Sequence, residues 1–264
     1  MPDSQDTASP FNTRLSLRGA SKDKYGNPEG TGFDLAKDGA FKGLKIAVLQ
    51  LYTGEGFDFR LPADALAEKG FTVRRWTTPP PSAHELCEVL KGCCQLWIIS
   101  DKTVHLGADH IGVIQEFFNS GRGVYVWGDN SPYFADANDV ATSLFDARLS
   151  GNVPGDQVVH WQEAPGGSGL VSAHPVCAGL ENLYEGVTIA TVGPNPLLEP
   201  VVYGSAGNLV VAAHDRYKRR ALIDGGFTRL FHKWDTAGTG RYVRNAAAWL
   251  VNYERFGPAV MGRR

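Results

Sequence analysis

GRGVYVWGDNSPYFADAN, Gly121 to Asn138, decides how the rest of the chain is read. Val124-Tyr125-Val126-Trp127 is a short apolar run suited to a strand covered on both faces. It enters a small polar turn, Gly128-Asp129-Asn130-Ser131-Pro132, after which a helix is expected from Tyr133 to Phe145. In parallel α/β sheets such a strand-to-helix bend lies at the C-terminal edge, where ligands and nucleophiles are placed. Gly128 permits a tight bend, and Pro132 suits a first helical turn, where a missing N–H costs nothing. The turn offers Asp129, Asn130 and Ser131, and no cysteine.

Upstream of the bend, LKIAVLQL (44–51), FTVRRW (71–76) and CQLWIIS (94–100) read as strands. Helices are expected between them at 61–69, from Ser82 to Gly92 and at 107–119, with Ser82 and Glu85 spaced as a capping box. This alternation predicts a parallel, helix-covered sheet. Right-handed crossovers then bring loops 52–59, 101–106 and 128–132 to one edge. Downstream the rhythm changes. A short strand at 157–161 and four closely spaced runs, VTIATV, EPVVYG, LVVAAHD and RRALIDGG, predict an antiparallel or mixed extension before a last helix, Thr239 to Tyr253.

The expected fold class is therefore α/β: a three-layer αβα sandwich with a mostly parallel central sheet and extra C-terminal strands. Residues 43–256 form a single domain. Residues 1–42 have few apolar anchors and read as a tail or an arm packed over it, and 257–264 read as a C-terminal tail. Of 264 residues, 43% are hydrophobic and 20% charged, as in ordinary globular proteins. A net charge of -2 gives no reason to expect nucleic acid or an anionic membrane as partner. No apolar run is long enough for a membrane span, and no secretory leader is expected. The four cysteines, Cys87, Cys93, Cys94 and Cys177, lack zinc-site spacing, so a reduced, cytoplasmic protein is expected. Neither a cofactor nor a metal is expected.

Candidate functional groups cluster around the bend. Gly128, Asp129, Asn130 and Ser131, with Asp101 from the neighbouring strand end and His232 from FHKWDTAGTG, would line a ligand-binding edge. A helix N-terminus there favours an anion, Asp129 opposes one, and the competing reading has Asp129 or Ser131 simply capping the helix. His232 and Asp235 would orient a general base toward Ser131, as in a Ser-His-Asp hydrolase; otherwise Asp235 or Thr236 caps the last helix. Glu55, Asp58, Asp101 and Asp129 reach the same edge and suit a divalent cation only weakly. His105 and His110, five residues apart, do not share a helical face and are not read as ligands. His214-Asp215 leads into Arg216, Lys218, Arg219 and Arg220, a solvated turn or a patch for an acidic partner. Asp224-Gly225-Gly226 reaches the sheet edge if its strand is parallel. Arg241 and Arg244, with Tyr242 and Trp249, form either a partner-contacting face or internal cation–π packing.

LKIAVLQL, the IIS-D edge at 98–101, GRGVYVWG, HPVCAGLENLYEG (174–186) and RRALIDGGFTRLFHKWDTAGTGRYVRNAAAWL together resemble the class I glutamine amidotransferase-like superfamily. This superfamily is flavodoxin-like and includes DJ-1/PfpI and ThuA-like proteins. The resemblance covers roughly 43–254. It implies a cysteine at the bend, served by a later histidine and carboxylate, yet this chain has Asp129 or Asn130 there. The expectation is a branch without the nucleophile: a non-catalytic binding or assembly module, with a protein partner, a second copy or a small-molecule ligand. Trp76, Trp161 and Trp234 suit such a surface. The alternatives are a hydrolase using Ser131 or Asp129 with His232 and Asp235, and a ThuA-like role in sugar metabolism.

Overall fold

Alternating side chains feed two cores on opposite faces of one sheet. The computed structural model describes residue 11 and residues 19–257. Its first half runs β1 (Lys45–Gln50), α1 (Arg60–Glu68), β2 (Thr72–Thr77), α2 (Ala83–Leu90), β3 (Gln95–Ile99), α3 (Ala108–Asn119), β4 (Gly123–Trp127) and α4 (Ala135–Phe145). Every residue of β3 and β4 is buried. Ile46, Val48, Trp97, Ile99, Tyr125 and Trp127 enter one core; Ala47, Leu49, Leu96, Ile98, Val124 and Val126 enter the other. That is the period of two a doubly covered strand requires. As expected, Ser82 caps α2, its hydroxyl accepting from the Glu85 amide at 3.2 Å.

The second half comprises β5 (Leu149–Pro154), β6 (Val158–His160), β7 (Gly169–Leu170), β8 (Asn182–Tyr184), β9 (Thr188–Val192), β10 (Glu199–Tyr203), β11 (Leu209–Arg216) and β12 (Arg219–Asp224), then α5 (Thr239–Leu250) and α6 (Tyr253–Phe256). The main sheet has the order β2-β1-β3-β4-β12-β11-β10-β7. Its first five strands are parallel, the arrangement of a flavodoxin-like sandwich, and β11, β10 and β7 extend it antiparallel. Of the four expected C-terminal strands, the first departs: β9 pairs with β5 in a separate two-stranded sheet. The expected last helix also breaks, at Asn252, whose backbone is left-handed (φ 59) and whose amide bonds the Lys218 carbonyl at 2.9 Å. Helices α1 and α5 pack into one core, and α2, α3 and α4 into the other. Among the described residues no helix is long and apolar enough to cross a membrane.

Residues 19–42 are tied to the sandwich by Ala36 and Phe41 in its core, by Asn27 on Asn182, and by one carboxylate. Asp34 is wholly buried and meets Lys69 at 2.9 Å, the Arg241 Nε at 2.7 Å and the Arg244 Nε at 2.6 Å. Arg241 also donates to the carbonyls of Pro28, Gly30 and Gly179. Of the two readings of Arg241, Arg244, Tyr242 and Trp249, packing within the fold is the one that holds, since Tyr242 and Trp249 are buried as well. Of the basic run, Arg216 and Lys218 are exposed, as a solvated turn requires, while Arg220 is buried over the Trp249 ring and pairs with Asp215 and Glu254. Trp76 and Trp234 are half-buried, leaving Trp161 as the exposed one of the three.

Removing one member of a buried ionic cluster leaves uncompensated charge, at a cost of about 3–5 kcal/mol. Asp34→Ala leaves Arg241 with carbonyl partners alone and takes from Lys69 and Arg244 one of their two carboxylates, the others being Asp38 and Glu68. Urea unfolding at pH 7 is expected to show a loss in that range, and a loss below about 1 kcal/mol would show that the clamp is dispensable.

Candidate functional site

The bend after β4 is closed by close packing, not by an unusual glycine backbone. Gly128 does not have positive φ; a Cβ there would sit 2.6 Å from a methyl of Leu149 and 3.1 Å from the Phe134 Cβ. Its amide donates to the Asp224 carbonyl at 2.8 Å, tying the bend to the end of β12. The chain then makes a wide loop, with the Ser131 amide on the Gly151 carbonyl at 2.9 Å and the Tyr133 amide on the Asn130 carbonyl at 2.8 Å. The Ser131–Pro132 peptide is cis. Helix α4 begins at Ala135, later than the expected Tyr133, so Pro132 lies outside its first turn. Neither Asp129 nor Ser131 caps it: the N-cap is Phe134, with no side-chain cap.

Beside this loop the C-terminal sheet edge encloses a cavity of about 430 Å³. Tyr52 enters from the end of β1, Asp129, Asn130 and Tyr133 from the bend, and Phe227, Thr228, Phe231, His232 and Lys233 from the segment after β12. Asp156, Val187 and Thr188 close it from the side of the small β5–β9 sheet. Tyr52 contacts Tyr133, Phe227 and Phe231 with ring centroids 5.7, 5.2 and 6.3 Å apart, forming an aromatic wall. Three lining residues, Glu55 (φ 53), Asp156 (φ 67) and Lys233 (φ 49), have left-handed backbones, which non-glycine residues adopt at some cost and which recur at binding sites.

The cavity's charges are unevenly partnered. His232 Nε2 meets Glu55 Oε2 at 2.8 Å, and Lys233 pairs with Asp156. That ammonium, with the Tyr184 hydroxyl, holds the Asp156 carboxyl below its usual range. Asp129 is different: only 4% exposed, it has no hydrogen-bond partner on Oδ1 among the described residues. Burial pushes its carboxyl well above the carboxylate range, outweighing the favourable Asn130 amide and Arg229 charge, while Asp224 and Glu55 act in the same direction as burial. Burial, then Glu55 and other nearby acids, pushes the Tyr52 hydroxyl up to about 12.

Among the sequence candidates, Gly128 forms the bend, and Asp129, Asn130, His232 and Glu55 meet at the cavity. Ser131 is exposed and does not line it; nor does Asp235, which borders a separate cleft beside Arg241 and Arg244. The partner of His232 is thus Glu55. The last helix has Gly238 as its N-cap, so Asp235 and Thr236 do not cap it. Asp101 turns to His105, 3.5 Å away, and Asp58 to Arg60. His110 bonds the Pro81 carbonyl at 2.8 Å, and His214 packs on Phe145. Asp224 does reach the sheet edge, where it pairs with buried Arg229 at 2.7 Å. The sequence reading passes over Tyr52, Tyr133, Asp156, Phe227 and Phe231. Phe227 and Phe231 carry the one local signal, aromatics four apart directly after Asp224-Gly225-Gly226. None of the four cysteines lines the cavity, and burial pushes the Cys177 thiol up to about 12.

No protein-family model and no curated protein sequence matches the chain. Solved structures do. A ThuA-like protein from Parabacteroides merdae aligns over 79% of this chain and 89% of its own, with TM-score 0.50 and 12% identity. The exo-β-1,4-mannosidase Op5Man5 from Opitutaceae bacterium strain TAV5 aligns over 78% of this chain with TM-score 0.43 and 11% identity; the chain spans about a third of that protein, 35%. The glutaminase domain of Trypanosoma brucei CTPS aligns over 78% of this chain and 94% of its own, with TM-score 0.41 and 13% identity. The likeness to the ThuA-like protein is one of fold.

Because the folded state raises the Asp129 pKa, it binds more protons than the unfolded chain above the ordinary carboxylate value. Stability from this group is therefore greatest in acid and falls as pH rises from about 4 toward its folded pKa. Asp129→Asn carries no such charge. The variant is expected to lose that part of the decline and to gain about 1 kcal/mol or more over the parent at pH 8, by urea unfolding between pH 4 and 8. An unchanged slope with pH would show that Asp129 is not the group responsible.

Proposed function

We propose that the protein is a small-molecule binding module whose ligand occupies the cavity beside Asp129, and that it works without thiol chemistry. One observation carries this: the bend where catalytic members of the resembled superfamily hold a cysteine presents buried Asp129, with no partner on Oδ1, to an aromatic-walled cavity. Concave sites of this volume, mostly apolar with a few convergent polar groups, are the usual form of a ligand pocket. The wall supplies contact area, and Asn130, Thr188 and Thr228 on its rim supply hydrogen-bonding groups.

A second reading, a hydrolase, draws on His232 and its carboxylate partner Glu55 in the same cavity as Asp129. An imidazole so paired is oriented as a general base, in the manner of His-carboxylate dyads. Ser131 and Asp235 stand outside that arrangement, so a Ser-His-Asp version loses two of its three members. Asp129 would then be the remaining acid or nucleophile.

Thermal-shift screening of the full chain against mixed metabolites, sugars included, separates these readings. The binding reading expects saturable stabilisation by a compound whose affinity falls about tenfold in Phe231→Ala, through lost aromatic contact. It also expects no turnover of ester, amide or glycoside substrates above blank, and indifference to iodoacetamide. Hydrolysis that disappears in His232→Ala, with unchanged circular dichroism, would replace it with the hydrolase. Stabilisation by sugars would carry the ThuA-like role.

A further inference from the structure

The carboxylates lining the cavity have side-chain partners except at one point. Glu55 is hydrogen-bonded to His232 and Asp156 is paired with Lys233, both at the half-exposed rim. Deeper in, Asp224 is consumed by Arg229 and by the Tyr125 and Tyr242 hydroxyls. Asp129 lines the same cavity, 4% exposed, with Oδ1 unpartnered. A buried carboxylate is costly unless a cation or donor is brought to it. The adjoining wall consists of Tyr52, Tyr133, Phe227 and Phe231, whose ring faces attract cations.

Resting on the reading of this cavity as a ligand site, we propose that the ligand carries a protonated amine, which donates its N–H groups to Asp129 and lays its hydrocarbon body on Tyr52, Tyr133, Phe227 and Phe231. An anionic ligand would meet Glu55, Asp129 and Asp156 together. A neutral ligand could accept a hydrogen bond from protonated Asp129 but would leave its ionised form uncompensated. The surroundings point the same way. Burial comes first in raising the Tyr52 hydroxyl, and Glu55, Asp129 and Asp101 add to it a negative field, which favours a cation over an anion at that place. Arg229 is the opposing charge closest to Asp129 in effect, and it is already engaged by Asp224.

The proposal makes binding proton-linked. At low pH Asp129 holds a proton that an ammonium must displace, so affinity for the cation rises with pH and complex formation releases a proton. Calorimetric titration of the full chain with phenethylamine, its neutral isostere 2-phenylethanol and glucose, between pH 5 and 8, tests this. The amine remains protonated throughout that range, much like lysine. At pH 8 it is expected to bind at least about tenfold tighter than the alcohol, a gap that narrows toward pH 5. Heats in buffers of different ionisation enthalpy should show proton release, and Asp129→Asn should abolish the gap while unfolding cooperatively like the parent.

Equal affinity for amine and alcohol, or a preference for the amine that survives in Asp129→Asn, would overturn the proposal. Binding of 2-phenylethanol or glucose without the amine would overturn it too, yet leave the cavity as the ligand site. If none of the three binds, the ammonium reading falls, and the metabolite screen decides separately whether the cavity takes any ligand.

Discussion

Asp224 and Arg229 form an ion pair with no solvent exposure on either side, and much of the site's geometry follows from it. Asp224 is the last residue of β12, lying opposite Trp127 at the end of β4. Its Oδ2 accepts from Arg229, Tyr125 and Tyr242, and its Oδ1 from the Gly226 amide. Four elements are thereby tied to one carboxyl group: the two central strands, α5 and the single-turn helix Phe227–Leu230. Arg229 extends the tie by donating to the Glu185 carbonyl at 2.8 Å and lying over the Trp127 and Tyr242 rings. Desolvating two charges is expensive, and such a pair is seldom more stable than packed hydrocarbon. What it supplies is position. With Arg229 fixed, Phe227 and Phe231 stand on either side of it as half of the aromatic wall.

Burial acts in opposite directions on the groups of this network. It pulls Arg229 toward losing its proton, but Asp224 and the two tyrosines outweigh that, and Arg229 remains firmly charged. For Tyr125 and Tyr242 burial comes first, and both hydroxyls are pushed well above their ordinary value, so they stay donors. Asp129, a few ångströms of chain beyond Trp127, has no equivalent of Arg229. The same sheet edge therefore holds two buried aspartates in contrasting states: one saturated with donors and structural, the other lacking a donor on Oδ1 and open to the cavity. Arg229 faces both, but its hydrogen bonds go to Asp224 and Glu185.

The parallel half of the fold is legible in the sequence because strands covered on both faces need nearly unbroken apolar runs, and LKIAVLQL and VYVW leave no other reading. That Asp129, Glu55 and His232 share one edge also follows, since right-handed crossovers bring every parallel strand's exit to the same side. The partner of His232 does not follow. Asp235 is close in sequence, yet the chain turns between them and Glu55 arrives from 177 residues away. Asp156 and Thr188 are hidden for a related reason: they come from the β5–β9 pair, whose short strands have no helix to fix their place. Arg241 and Arg244 look like surface residues on spacing alone. Only the position of Asp34, more than two hundred residues upstream, turns them inward.

Several local rules are broken at the cavity, and Asp129 is the departure that bears on it most. Glu55, Asp156 and Lys233 are left-handed without being glycine, α4 starts without a side-chain cap, and Asp129 is buried without a partner on Oδ1. Left-handed residues also occur away from it, at Phe59, Asp146, Tyr217, Lys218 and Asn252, and α1 and α5 likewise start without a side-chain cap. A sequence under selection for stability alone would replace Asp129 with an apolar or hydrogen-bonded residue, since an unsatisfied buried polar group costs about 1–3 kcal/mol. Proteins concentrate such departures where function requires them and offset them in the surrounding structure. Here the offsetting elements are identifiable. The Asp224–Arg229 tie and the Asp34 clamp each hold α5, from two sides, and α5 backs the strands whose ends frame the cavity. The rigid sandwich thus keeps an energetically poor carboxyl in place, where water or a donor from a ligand can reach it.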